Sequence, residues 1–178
     1  MAVRIAVAIV AGIVCTVAAA AMAAERSPAG GLATALADAG FAGRESCRRS
    51  LESLPTDLMS ADDRHVVEHF HRSTTLHRRL PAETIQCEAT LLEFVLTKPE
   101  TLVDIWRVLG ISRVSLDPAG PGRWRLADGY GTVGIIRLLH HDRRPTGGML
   151  VFHGRGGYTG SLAPKPLTGG CLLVVRYE

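Results

Sequence analysis

The sequence is poor in lysine and in aromatic residues. Of its 20 basic residues only Lys98 and Lys165 are lysines, the formal net charge is +3, and aromatic residues make up 5% of the chain. This near balance of charge creates no strong electrostatic field, which argues against a dedicated nucleic-acid-binding protein. After the N-terminal segment, no apolar run is long enough to cross a membrane. We therefore expect neither nucleic acid as a partner nor membrane insertion of the mature chain.

Several motifs that carry chemistry are also missing. The four cysteines include no C-x-x-C pair, which excludes a zinc ribbon and a thioredoxin-type site. There is no G-K-[ST] sequence, and the glycine-rich stretch at residues 154–160 is followed by Pro164 rather than by a helix. A phosphate-binding loop needs such a helix, because its N-terminus holds the anion. The sequence thus predicts no cofactor.

The N-terminus has the three parts of a secretory signal peptide. Arg4 supplies a positive charge, residues 5–21 contain no charged side chain, and "AMA" at residues 21–23 offers small residues at both positions that a signal peptidase reads. We predict a signal peptide over residues 1–23, cleaved after Ala23, and a secreted or periplasmic mature protein. The alternative is an uncleaved N-terminal membrane anchor, since the apolar run approaches the roughly 20 residues that a span needs.

The remaining chain changes character near residue 110. Residues 24–59 are expected to form an N-terminal extension with one helix, and residues 60–178 a single α+β domain. Helices are predicted over residues 60–110, where apolar residues recur at helical spacing. A sheet is predicted over residues 111–178, where short β-rich runs alternate with Gly- and Pro-rich turns. Successive strands joined by tight turns indicate an antiparallel meander of about five strands, with the N-terminal helices packed on one face.

Three of the seven histidines lie in "HVVEHFH", residues 65–71. On a helix, His65 and His69 share a face, which is also the spacing of a helical zinc pair. However, the glutamate of the H-E-x-x-H motif is replaced by Val66, and His71 lies about 200° around the helix from His69. Since no third ligand is indicated, we interpret this stretch as the exposed face of a helix and predict no metal site.

A second group of histidines is compatible with acid–base chemistry. His140 and His141 precede Asp142, and His153 is predicted on the neighbouring strand. No serine in a strained strand–helix turn and no cysteine stands out as a nucleophile beside them. We therefore assign no catalytic residue. An envelope hydrolase that uses His140, His141 or His153 is the alternative function.

Three segments, "LVDIWRVLGIS", "DGYGT" and "PKPLTGGC", resemble those of an uncharacterised family of secreted bacterial proteins with no assigned activity. The resemblance spans about residues 60–177. It implies export and a shared α+β fold, and it transfers no catalytic residue. Because similar chains carry cysteines that match Cys87 and Cys171, it also implies a disulfide between these two. A Cys47–Cys87 pairing is the rival possibility.

These features favour a non-catalytic exported module, in the bacterial envelope, that binds a partner or a small apolar ligand between helices and sheet. The candidate ligand-binding residues are four aromatic side chains and one arginine: Trp106, Trp124, Tyr130, Arg155 and Tyr158.

If residues 65–71 form only an exposed helix face, zinc should leave the melting temperature of the protein unchanged. A ligand present at 100 times its Kd stabilises a protein by about 2.7 kcal/mol, which differential scanning fluorimetry detects as a shift in Tm. A zinc-dependent rise of several degrees that is lost in His65→Ala would contradict this interpretation.

Overall fold

The computed structural model describes residues 2–13, 44–144, 147–161 and 164–178. In chain order the elements are β1 (Ala2–Ile13), α1 (Arg44–Glu52), a 3-10 helix (Thr56–Leu58), α2 (Ala61–Ser73), β2 (Leu76–Arg79), β3 (Glu83–Gln86), α3 (Ala89–Thr97), α4 (Pro99–Val108), β4 (Ser115–Pro118), β5 (Arg123–Ala127), β6 (Thr132–Arg144), β7 (Gly147–Tyr158) and β8 (Leu167–Tyr177). Among the helices of these ranges, none combines the length and the apolar character needed to cross a membrane.

The strands form one antiparallel sheet in the order β2-β1-β8-β7-β6-β5-β4, and β3 pairs with the other half of β1. Strands β4 to β8 follow one another as a meander, in which β6, β7 and β8 are the longest neighbours. A mixed α+β architecture with an antiparallel sheet is thus confirmed.

The sheet is larger than predicted, because three strands lie outside the five expected ones. Strands β2 and β3 fall within residues 60–110, where only helices were expected. Between them Leu80 precedes Pro81, and a residue before proline is disfavoured in helical conformation. Both strands pair with β1, a partner far away in the sequence. Local periodicity could not indicate this pairing.

Helices α1 and α2 pack on one face of the sheet, which we call the α1/α2 face. Their apolar side chains meet those of the central strands in one cluster: Cys47, Leu51, Leu54, Met59, Val67 and Phe70 from the helical segments, with Leu139, Val151, Leu172 and Val174 from the sheet. Because residues 47–59 share this cluster with α2, the predicted boundary at residue 60 falls inside one packed core.

Helices α3 and α4 pack on the opposite face, the α3/α4 face, where Leu96 and Val103 lie against a second cluster formed by Leu116, Trp124, Leu150 and Phe152. The prediction that the helices cover one face is therefore wrong. The reason lies in β7, where Leu150, Val151 and Phe152 are buried in succession. Consecutive strand residues point to opposite faces, so such a run needs cover on both.

The helix ends follow the local chemistry of the sequence. The backbone N–H of Asp63 donates to the Ser60 hydroxyl at 3.2 Å, and that hydroxyl donates to the Asp63 carboxylate at 2.6 Å, which caps α2. Lys98 separates α3 from α4. Gly110 follows α4 with a φ of 69°, a conformation that glycine adopts without steric cost. These three features agree with the sequence pattern.

The disulfide that the resemblance implied is absent, since the three described cysteines are free. Ala2 pairs with Gln86, the neighbour of Cys87, whereas Ala11 pairs with Cys171. Ala2 and Ala11 are nine positions apart along β1, which corresponds to roughly 30 Å. A disulfide requires Cα atoms within about 7 Å, so the Cys87–Cys171 pairing is wrong for this fold. Cys47, free as well, is buried among α1/α2 side chains.

Residues of the predicted signal peptide are part of the sheet. Strand β1 occupies residues 2–13 and lies between β8 on one side and β2 and β3 on the other. The predicted cleavage point after Ala23 and the rest of the extension up to residue 43 lie outside the described residues.

Leu150→Ala should destabilise the protein by about 2–5 kcal/mol, because it removes a fully buried side chain from a strand that is covered on both faces. Urea denaturation followed by circular dichroism measures the change. Leu58→Ala, at a side chain that is 72% exposed, is the matched control and should stay within about 0.5 kcal/mol. Equal losses in the two variants would contradict the packing described above.

Candidate anion-binding site

A cleft of about 560 Å³ lies on the α1/α2 face, at the end of the sheet where β6 and β8 end and β1 and β7 begin. We call it the arginine cleft. Its charged and hydroxyl-bearing side chains come from distant parts of the chain: Arg4, Ser53, Arg79, Asp142, Arg144, Arg176, Tyr177 and Glu178.

The sheet register brings the central residues of the cleft together. Ala6 pairs with Arg176, Arg176 with Met149, and Met149 with Asp142. Residues that pair directly across antiparallel strands project from the same face of the sheet. This row therefore lies on one face across four strands, and Arg144, two residues after Asp142, extends it.

Positive charge dominates the arginine cleft, because four guanidinium groups face two carboxylates. Arg144 forms an ion pair with Asp142 at 2.7 Å, and Arg4 forms one with Glu178 at 3.6 Å. Both carboxylates are thus engaged by two of the arginines. Arg79 and Arg176 have no carboxylate within ion-pair distance among the described residues.

Arg176 is the least exposed of these cations. Its Nη2 atom donates to the Ser53 hydroxyl at 2.7 Å, which satisfies hydrogen bonding without neutralising charge. Burial lowers the pKa of the Arg176 guanidinium, and the positive charge of Arg79 lowers it further. A half-buried cation beside a second cation is electrostatically unfavourable, and an anion bound between them would relieve that repulsion.

Two glycines, Gly147 and Gly148, line the arginine cleft where β7 begins. A Cβ atom at Gly147 would overlap the carbonyl oxygen of Tyr177, and one at Gly148 would overlap the hydroxyl of the same tyrosine. Because the backbone of β7 lies this close to Tyr177, a side chain at either position would not fit without a shift of the strand.

Two of the residues predicted to bind a ligand lie near α4. Trp124 is buried, its indole N–H donates to the Glu100 carboxylate at 2.7 Å, and its ring meets Phe152 edge to face. It therefore helps to fix α4 to the sheet from inside the core. Trp106 is half exposed on α4 beside other exposed apolar side chains: Ile105, Val108, Leu109 and Ile111.

The other three predicted residues lie at the opposite end of the sheet from the arginine cleft. Tyr130 is exposed in the turn before β6, where the Arg113 guanidinium lies 5.5 Å from its ring centre. Tyr158 ends β7 and pairs with Thr132. Arg155 is exposed on β7. The structure thus brings Tyr130 and Tyr158 to neighbouring segments, but it does not unite the five predicted residues in one site.

The histidines considered for catalysis do not converge. His140 pairs with Val151, which is buried on the α1/α2 face, whereas His141 pairs with Leu150, which is buried on the α3/α4 face. The buried Nε2 atoms of both imidazoles have no hydrogen-bond partner among the described residues. His153 packs edge to face against Phe70 of α2. No acid–base relay joins the three side chains.

All three histidines of residues 65–71 are exposed on α2. His65 lies 3.8 Å from the Glu68 carboxylate, and His69 contacts the edge of the Phe70 ring. Within the described ranges, no group of three or more His, Cys, Asp or Glu side chains is arranged to hold a metal ion.

Sequence reasoning did not identify the arginine cleft. One signal was available: Arg176 follows the apolar run "CLLVV" at the end of the last strand, and basic residues in this chain are almost all arginine. The partners of Arg176 could not be derived, because Ser53 and Arg79 reach it only through the packing of α1 and the pairing of β2.

The imidazole of His153 should titrate below pH 6.5, the usual value for histidine. Burial lowers its pKa, Arg137 and Arg155 lower it further, Asp63 acts in the opposite direction, and His69 adds a smaller decrease. A folded-state pKa below the unfolded value means that protonation favours unfolding. The contribution of His153 to the free energy of unfolding should therefore be constant above about pH 6.5. It should fall as the pH decreases from there towards the pKa of the folded state.

Two-dimensional NMR titration of the imidazole protons measures this pKa directly. Urea denaturation at pH 7.5 and 5.5 should give a smaller difference in unfolding free energy for His153→Gln than for the parent protein. His71→Gln, which removes an exposed histidine from α2, is the matched control. A His153 pKa at or above 6.5 would contradict its burial among these groups.

No protein-family model matches the chain, and comparisons with curated proteins and with solved structures give no match. The resemblance to secreted bacterial proteins therefore stays a prediction.

Proposed function

We propose that the protein is an exported, non-catalytic binding module of the bacterial envelope, which holds an anionic group of its ligand in the arginine cleft. One observation carries the proposal. Arg176 is half buried next to Arg79, and neither has a carboxylate within ion-pair distance among the described residues. Export is supported by the N-terminal sequence, which has the charged, apolar and small-residue parts of a signal peptide.

The chemistry of the cleft suits a carboxylate or a phosphate. A guanidinium group is planar and always charged, and it donates two parallel hydrogen bonds to either anion. The volume of about 560 Å³ falls within the range of small-molecule sites. A small organic anion, or an acidic group at the end of a larger molecule, fits both the charge and the size.

Processing after Ala23 would leave the centre of this site in place. Arg4 and Ala6 belong to β1 and would be removed, whereas Arg144 and Arg176 lie on β6 and β8 and would remain. Loss of Arg4 also releases Glu178 from its ion pair. The proposal therefore depends first on Arg176 and Arg144. Arg79 lies on β2, which loses its strand partner β1 on processing but keeps its contact with α1.

The groups of the cleft argue for binding rather than catalysis. The carboxylate of Asp142 is held by Arg144 at 2.7 Å, and the hydroxyl of Ser53 accepts from Arg176 at 2.7 Å. A general base needs a free lone pair directed at the substrate, and a nucleophile needs a base beside it. Both oxygen groups are instead engaged with guanidinium groups.

The test is isothermal titration calorimetry of the exported protein with two probes, inorganic phosphate and citrate. At least one probe should bind, and Arg176→Gln should weaken binding by roughly 10- to 100-fold, because it removes a charge-assisted hydrogen-bond donor. Affinity should also fall as salt concentration rises, since the cleft is open to solvent.

Arg155→Gln is the matched control for this experiment. Arg155 is an exposed strand arginine near the other end of β7, so its loss should leave the affinity within about twofold. If Arg155→Gln abolished binding while Arg176→Gln did not, the arginine cleft would be the wrong site. Absence of binding of both probes at low salt would contradict an anion site altogether.

A further inference from the structure

Strand β1 is bound to the rest of the sheet along both of its edges. On one edge it pairs with β8 at nine consecutive positions, from Ile5 opposite Tyr177 to Ile13 opposite Gly169. On the other edge it pairs with β2 and β3, which among the described strands pair with β1 alone. The residues that form this interior strand all precede the predicted cleavage point.

Cleavage after Ala23 would expose the edge of β8 that β1 covers. This edge, with the sequence "LTGGCLLVVRY", contains no proline and no lysine, and Arg176 is its one charged residue. Natural sheets protect long edges with such residues, with bulges or with short strands, because an unprotected apolar edge pairs with any strand available. Apart from Arg176 near its end, the β8 edge has none of these devices along its eleven residues.

We propose that the β8 edge is a peptide-binding site. Residues 2–13 occupy it in the precursor, and in the processed protein an extended apolar segment of another envelope protein occupies it by strand addition. This inference rests on the processing step of the proposed function. Its experiment is separate from that for anion binding, although Arg176 belongs to both the β8 edge and the arginine cleft.

The sequence and register of β1 indicate which peptide segments can pair with the β8 edge. Branched aliphatic residues stand at alternate register positions, where Ile5, Val7 and Ile9 pair with Tyr177, Val175 and Leu173. Alanine or glycine occupies most positions between them: Ala6, Ala8 and Gly12. The side chains of Ile5 and Val7 are half buried. The partner segment is therefore antiparallel to β8, about nine residues long and free of proline, with branched residues alternating with small ones.

The layers beside β8 favour a single strand over a second copy of the domain. Leu172 and Val174 are covered by helices on the α1/α2 face, and Leu173 and Val175 pack on the α3/α4 face. The edge thus lies between two helical layers. An extended peptide needs only the β8 edge, whereas a second copy must also bring the helices on both faces of its own β8 next to those of the first domain.

The hydrogen-bond pattern of β1 supplies a stringent test. On the β8 side, the backbone N–H of Arg4 donates to the Glu178 carbonyl at 2.8 Å, and the N–H of Glu178 donates to the Arg4 carbonyl at 3.0 Å. On the other side, the Val7 carbonyl accepts from the N–H of Leu80, which follows β2, at 2.8 Å. Backbone groups alternate along a strand, so the N–H of Ala6 points to β8 and that of Val7 points away.

The experiment uses the processed protein recovered from the periplasm, with its N-terminus determined by mass spectrometry. The probe is a fluorescently labelled peptide of residues 2–13, and fluorescence anisotropy measures its binding. The parent peptide should bind at a 1:1 ratio. The peptide with Ala6→Pro should bind about tenfold more weakly or worse, because proline removes a hydrogen bond of the ladder. The peptide with Val7→Pro keeps every donor that points to β8 and should bind more tightly than the Ala6→Pro peptide.

The full chain retained in the cytoplasm is the protein control, since its own β1 covers the edge and the probe should not bind. An intact residue 1–23 segment in the exported protein would overturn the proposal, and so would a processed monomer that binds none of the peptides. A processed dimer that excludes the peptide would identify a second copy as the occupant and equally overturn it. Phosphate or citrate binding is measured separately, so failure of the peptide site and failure of the arginine cleft are distinguishable.

Discussion

Burial of the central strands on both faces is the constraint on which the rest of the structure depends. Leu150, Val151 and Leu172 are completely inaccessible to solvent, although neighbouring residues of a strand point in opposite directions. Two helical layers are required to exclude water from both sides. The positions of α1 and α2 on one face and of α3 and α4 on the other follow from this requirement.

The same constraint favours positions at the ends of the strands for charged side chains that lack an ion-pair partner. Charged side chains cannot be accommodated in either apolar layer without partners, and within the sheet Arg137 meets this condition through Asp63 at 2.7 Å. Arg143 does so through Glu93 at 3.0 Å. Arg176 lies where the α1/α2 layer ends, and among the described residues its hydrogen-bond acceptors are the hydroxyl and the carbonyl group of Ser53. That difference distinguishes it from the structural arginines and makes the arginine cleft the strongest candidate for a binding site.

The N-terminal residues connect the fold with the proposed biology. An apolar, alanine-rich segment free of proline satisfies the composition of a signal peptide and that of a buried strand equally well, because both require the removal of apolar side chains from water. Residues 2–13 have this composition and pair with three other strands. The β8 edge and the arginine cleft both border β1, so processing would alter the two proposed sites together.

The sequence by itself determined the local features. The antiparallel meander was predicted from the alternation within its strands. The N-cap of α2 at Ser60 and the break between α3 and α4 at Lys98 likewise depend on residues within one helical turn. Helix capping, proline and the alternation of apolar residues determine such features through neighbours in the sequence.

Only the tertiary structure decided which distant segments meet. The number of strands and the separation of Cys87 from Cys171 depend on β1 pairing with segments more than 60 residues away. The two-sided arrangement of helices depends on the burial of β7 from both faces. The arginine cleft likewise requires Ser53 and Arg176 to be adjacent at a separation of 123 residues. No periodicity within a segment encodes such pairings, since they are selected by the joint burial of both sheet faces and by the edges left available for hydrogen bonding.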